Sequence, residues 1–125
     1  MIIHIYGDIV YKDKHSSQGY TGRIFRDHCD EHIKTIIKEI SSIENSQIRE
    51  KDIVVRIFSS FTMDYAQTYN PVGEITVRVL GLVFDPERTV ELLNTLAITI
   101  RSAVSKPLDA KVVRVIIDPP PAVYL

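Results

Sequence analysis

Two segments of this 125-residue chain carry the run V-V-R followed by two apolar residues, one in KDIVVRIF and one in DAKVVRVI. Each lies downstream of a long stretch with apolar residues every three or four positions, and each of those stretches follows another β-branched run, MIIHIYG or EITVRVLGLVF. The element order is therefore strand, helix, strand, twice over, dividing near Asn70 to Gly73 into a pseudo-repeat of residues 1–70 and 71–125 within a single domain, 1–125. A strand joined through a long helix to a second strand makes a parallel crossover. Two such units predict an α/β (α+β) domain: one four-stranded mixed sheet with two helices on one face.

The local signals agree. Ile2 to Tyr6 alternate as a strand, with Ile3 and Ile5 on one face and Ile2, His4 and Tyr6 on the other, and Gly7 ends it. Pairing is expected to extend through Ile9 to Tyr11, and KDKHSSQG beyond it reads as an exposed loop. From Arg23 to Ile43 the spacing of Phe25, Cys29, Ile33, Ile36, Ile40 and Ile43 predicts an amphipathic helix, with Thr21 as its cap. Strands are expected over Ile53 to Phe61 and Lys111 to Asp118. Asp85-Pro86-Glu87 reads as a helix start, with Val90, Leu93, Leu96, Ala97, Ile100 and Val104 as the buried stripe and Lys106-Pro107 as the stop. Pro119, Pro120 and Pro121 forbid continued central pairing, so AVYL forms a stiffly held tail.

Composition narrows the function classes. Fifteen Lys plus Arg against sixteen Asp plus Glu leave a net charge of −1, giving no overall field for nucleic acid or an anionic membrane. Cys29 is the lone cysteine, which excludes an intrachain disulfide, and there is no signal peptide and no apolar run of about 18 residues. A cytoplasmic location is the expectation.

The strongest candidate chemistry lies in the arginines. Arg56, Arg78 and Arg114 alternate with aliphatic residues, so one side of three strands carries cations that must face water, an anion or an oligomer channel. Guanidinium forks suit carboxylates in fixed geometry. In RDHCDEH, His28 and His32 lie four apart, as in helical zinc sites, but there is no H-E-x-x-H arrangement, and the pair reads as polar residues flanking the buried stripe; no metal is expected. Tyr6, Tyr65 and Tyr69 are candidate hydrogen-bonding groups at a strand end. His4, His15, Ser16 and Ser17 form no nucleophile constellation with an acid and base.

From MIIHIYG to KVVRVIIDPPPAVYL the chain resembles the tautomerase superfamily, which includes 4-oxalocrotonate tautomerase, 5-carboxymethyl-2-hydroxymuconate isomerase and macrophage migration inhibitory factor, in its fused double-βαβ form. The best local piece is the second half, EITVRVLGLVFDPERTVELLNTLAITIRSAVSKPLDAKVVRVIID. The resemblance implies a homotrimer without cofactor or metal, with sheets lining a central channel. It implies enol–keto chemistry on a small carboxylate or keto acid, and it places Arg114 at the substrate-binding arginine and Arg56 at its first-half counterpart. The family's base is an N-terminal proline; here residue two is Ile2, whose bulk disfavours removal of Met1, so the Met1 amine is the candidate base. A primary α-amine titrates at about 7.7 to 8.0, which burial and neighbouring arginines would lower. Two alternatives remain open: a non-catalytic oligomeric module with this fold, favoured by the missing proline, and a ferredoxin-like binding domain, which shares the element order.

Overall fold

A computed structural model describes residues 1–7, 9–12, 22–59, 74–82, 90–109 and 111–118. The chain forms β1 (Ile2–Gly7), α1 (Gly22–Ser41), a 3-10 turn (Glu50–Asp52), β2 (Val54–Ser59), β3 (Glu74–Leu80), α2 (Val90–Ser105) and β4 (Lys111–Ile117). The four strands make one mixed sheet in the order β2-β1-β3-β4. Within each half the strands pair in parallel, β1 with β2 and β3 with β4, and the halves join antiparallel through β1 and β3. This is the α+β architecture expected from two βαβ units. It overturns the ferredoxin-like alternative, because that fold is built on a split βαβ with another strand between the two it joins, whereas here those strands are neighbours.

Alternation along the strands creates two dissimilar faces. Ile3, Ile5, Val55, Ile75, Val77 and Val79 point inward and are buried beneath Ile36 and Ile40 of α1 and Leu96, Ile100, Ala103 and Val104 of α2. Each fully buried aliphatic side chain contributes about 1.5–3 kcal/mol relative to exposure, so this single layer supplies most of the drive to fold. The helices pack on each other, α1 reaching β2 and α2 reaching β4. Gly7 sits at the end of β1 with φ +146°, where an added Cβ would lie 2.6 Å from the Glu74 carbonyl oxygen and 2.7 Å from Ile75 Cδ1. Glycine there lets β1 and β3 approach closely.

The pairing register has a two-fold arrangement centred on Ile5 opposite Val77. His4 faces Arg78 and Tyr6 faces Thr76 on either side of that centre. His4 also pairs with Arg56, and Thr76 with Arg114, so the two V-V-R arginines stand beside the third residue of β1 and of β3 respectively. The second correspondence depends on an irregularity between Ile75 and Thr76, across which β4 gains one residue, Val113.

Several expectations shift. Helix α1 ends at Ser41, where Lys38 C=O accepts from both the Ser42 N–H and the Ser42 hydroxyl; Ile43 packs on the core from outside the helix. Val90 is 73% exposed, so the stripe of α2 begins a turn later. The residues around Ile9 to Tyr11 do not prolong the sheet. They pair instead with the chain after α2: Tyr11 bridges Leu108, Lys12 N–H donates to Pro107 C=O and Asp109 N–H to Val10 C=O. The physical reason is the helix stop at Lys106-Pro107, whose backbone groups need partners once α2 has ended. The loop through Ser16 and Ser17, Thr21, the turn at Asn70, Pro71 and Gly73, the helix start Asp85-Pro86-Glu87 and the tail from Pro119 lie outside the described residues.

Candidate functional site

The face of the sheet turned away from the helices is organised in rows that cross the strands. One row runs Phe58, Tyr6, Thr76, Arg114; the next runs Arg56, His4, Arg78, Ile116. Arg56, Arg78 and Arg114 are exposed, as the alternation predicts, and Ile116 and Val54 add apolar surface at 37% and 47% exposure. Arg78 donates through Nη2 to Asp118 Oδ2 at 2.9 Å. Among the described ion pairs, Arg56 and Arg114 have none.

Between Arg56 and Arg78 lies His4. Its Nδ1 is 2.8 Å from the Tyr6 hydroxyl, and its ring meets Phe58 edge-on at 5.1 Å while Tyr6 and Phe58 stack at 5.0 Å. The Nε2 atom is closed off from water and has no partner among the described residues. Burial pushes this imidazole below its ordinary range, and the positive charges of Arg56 and Arg78 push it further the same way. His4 is therefore a neutral ring among cations near pH 7. The I-H-I-Y alternation placed His4 and Tyr6 on this face; nothing in the sequence placed Phe58 against them or Arg56 beside them.

The N-terminus is anchored at the opposite end of β1. The Met1 ammonium donates to Asp52 C=O at 2.8 Å, and Met1 C=O accepts from Val54 N–H at 2.9 Å. Arg56 lies two residues further along β2. Arg114 is level with Tyr6, so its backbone is about 16 Å along the strands and about 10 Å across them from Met1. One chain therefore brings Arg56, but not Arg114, near its own amine.

The helical histidines behave differently from each other. His28 stays partly buried and stacks on Tyr11, with ring centroids 5.1 Å apart. His32 is not a flanking polar residue but part of the core, 3% exposed, with Nε2–H donating to Val104 C=O at 2.9 Å and Nδ1 3.1 Å from the Tyr11 hydroxyl. The Tyr11 hydroxyl also lies 3.4 Å from Cys29 Sγ. Burial lowers the pKa of His32, against hydrogen bonds to Val104 and Ala103 that raise it, and raises that of Cys29. The missed signal was spacing: His32 precedes Ile36 and Ile40 at intervals of four and shares their face. Among the described residues no three His, Cys, Asp or Glu side chains are placed to hold a metal. Tyr65, Tyr69 and His15 lie outside the described residues.

Two βαβ units joined antiparallel, with an open sheet face bearing arginines, define the class as a tautomerase-like α+β fold. Solved structures agree. The chain aligns with the F6 fused 4-OT wild-type asymmetric trimer at TM-score 0.60 and 11% identity, over 94% of this chain and 85% of that one. It aligns with the Q0 fused 4-OT wild-type symmetric trimer at TM-score 0.55 and 20% identity, over 97% and 86%. The fold is thus that of the fused 4-OT proteins. No protein-family model matches the sequence, and no curated protein does. Among the described residues no helix is long and apolar enough to cross a membrane.

Proposed function

We propose that this chain is a duplicated βαβ protein, with units 1–70 and 71–125, that assembles as a homotrimer. Its cationic sheet face binds a small carboxylate or keto acid and supports enol–keto proton transfer there. The observation that carries this reading is the pair of exposed guanidiniums, Arg56 and Arg114, which have no ion pair among the described residues and stand at matched positions in a fold shared with fused 4-OT trimers. A forked cation on a rigid strand is pre-organised for a carboxylate. Arg114 is the principal ligand and Arg56 its first-half counterpart. The Met1 amine is the candidate base within each chain for an acid held at Arg56, and meets Arg114 only across a subunit boundary.

The test combines mass with binding. Light scattering should give three chains per particle, and Arg114→Ala should lose binding of phenylpyruvate while its circular dichroism is unchanged. A monomer, or unaltered binding in the variant, refutes the assignment.

Two observations favour the non-catalytic module: the residue after Met1 is Ile2, and the Met1 ammonium is engaged with Asp52 C=O. A phenylpyruvate enol–keto assay separates the two, since a pure scaffold binds without turning over.

A further inference from the structure

Within one chain the Met1 amine stands far from Arg114, so the principal carboxylate ligand has no base from its own half at the matching place. We infer that Glu74 is that base, taking a proton from the carbon next to the keto group of a small 2-keto acid held by Arg114. The inference rests on the carboxylate-binding reading above and replaces the Met1 amine as the proton acceptor at Arg114.

Three observations converge on it. First, β1 is preceded by an amine, whereas β3 begins inside the chain, where the nitrogen ahead of it is a peptide amide whose lone pair is tied up in resonance. The opening residue of β3 is instead a carboxylate, Glu74. Second, alternation puts Glu74 and Thr76 on the face turned away from the helices, with Ile75 buried between them. Thr76 stands beside Arg114, so the backbones of Glu74 and Arg114 are about 7 Å apart along the strands and about 5 Å across them. Glu74 is partly exposed and Arg114 exposed, and among the described residues neither has an ion pair. A small acid can therefore lie between a guanidinium and a carboxylate that are not joined to each other.

Third, the backbone is shaped to bring the two together. Lys111 stands opposite Glu74 and Val112 opposite Ile75; without the extra residue Val113, Arg114 would fall beside Val77, whose side chain is buried. The bulge turns Arg114 onto the face of Glu74, the re-aiming of a side chain for which bulges recur beside active sites. Gly7 holds the other side: an added Cβ there would lie 2.6 Å from the Glu74 carbonyl oxygen, so the start of β3 is pressed against β1. Arg78, further along β3, is occupied by Asp118 at 2.9 Å and stays outside the reaction.

The chemistry needs no co-reactant. The guanidinium fork of Arg114 spans a carboxylate oxygen and the adjacent keto oxygen. The Glu74 carboxylate takes the proton from the carbon next to the keto group, and the C–H electron pair becomes the enolate double bond. Negative charge passes to the keto oxygen, where Arg114 stabilises it. The protonated Glu74 then gives the proton to that oxygen, which completes the enol and restores the carboxylate.

The test compares exchange with binding. Deuterium exchange at the carbon next to the keto group of phenylpyruvate, followed by proton NMR, should be promoted by the wild type. It should fall about 100-fold or more in Glu74→Gln, the typical scale for losing a general base, and recover in part in Glu74→Asp. Oxalate should bind Glu74→Gln at least as tightly as wild type, because a negative charge beside the anion is gone. Exchange in Glu74→Gln within about threefold of wild type, or none from a wild type that binds oxalate, overturns the role of Glu74 and leaves the carboxylate reading standing. A loss of oxalate affinity of about tenfold or more in Glu74→Gln also overturns it, since Glu74 would then be a support for Arg114. If oxalate fails to bind the wild type, or binds Arg114→Ala unchanged, the carboxylate reading falls and this inference with it.

Discussion

Replacing His32 by Phe tests whether a buried polar link between the helices holds the two halves together. His32 on α1 spans to the last turn of α2, where the carbonyl of Val104 lies beyond the reach of the helix's own amides: Leu108 N–H is already given to Ser105 C=O. The imidazole thus acts as a C-terminal cap supplied by the other half of the chain. Phenylalanine fills the space but leaves that carbonyl without the imidazole donor, at about 1–3 kcal/mol, and removes the Tyr11 hydroxyl's bond to His32 Nδ1. The expected loss is about 2–4 kcal/mol, measured by urea unfolding at fixed protomer concentration, since assembly would otherwise shift the midpoint.

The same residue sets a pH dependence whose sign is determined. The folded-state pKa of His32 lies below the ordinary 6.5, so the unfolded chain protonates first as pH falls. Its contribution is complete above about pH 6.5 and declines below it until the folded pKa is reached, by at most about 1.4 kcal/mol per pH unit. The variant should lose that part of the acid slope, leaving the share from His4, whose pKa is shifted in the same direction. A His32→Phe chain within about 0.5 kcal/mol of wild type, or one with the full wild-type slope between about pH 7.5 and 5.5, would refute the reasoning.

Two further outcomes are open to measurement. Gly7→Ala should destabilise by about 2 kcal/mol or more or prevent folding, because its Cβ would meet the Glu74 carbonyl oxygen, a backbone atom that cannot swing aside, as well as Ile75 Cδ1; chemical denaturation with an unchanged midpoint would contradict the close strand approach. Asp118→Asn should cost less than about 1 kcal/mol, since its partner Arg78 is half exposed, and thermal melts should shift only slightly.

Periodicity made most of the architecture legible. Alternation in I-I-H-I-Y and in E-I-T-V-R-V-L announced both strands and which residues face away from the helices, because a strand's side chains can point only two ways. Arg56 and Arg114 were identifiable for the same reason. What periodicity cannot carry is register. That His4 stands beside Arg56, that Arg114 is level with Tyr6 and not with Met1, and that Val113 offsets β4 are facts of pairing between distant segments. His32 was misjudged because imidazole is polar by type, whereas its position four residues before Ile36 places it among aliphatics, where two hydrogen bonds offset its burial.

The two-fold register about Ile5 and Val77 also bears on how such a chain can diverge. A protein assembled from separate copies of one short unit must change every copy when it changes any. Joining the units in one chain removes that obligation, and the matched positions beside Arg56 and Arg114 are no longer the same: imidazole at His4, hydroxyl at Thr76. One half can then keep its strand geometry as scaffold while the residue beside its arginine changes independently of the other half.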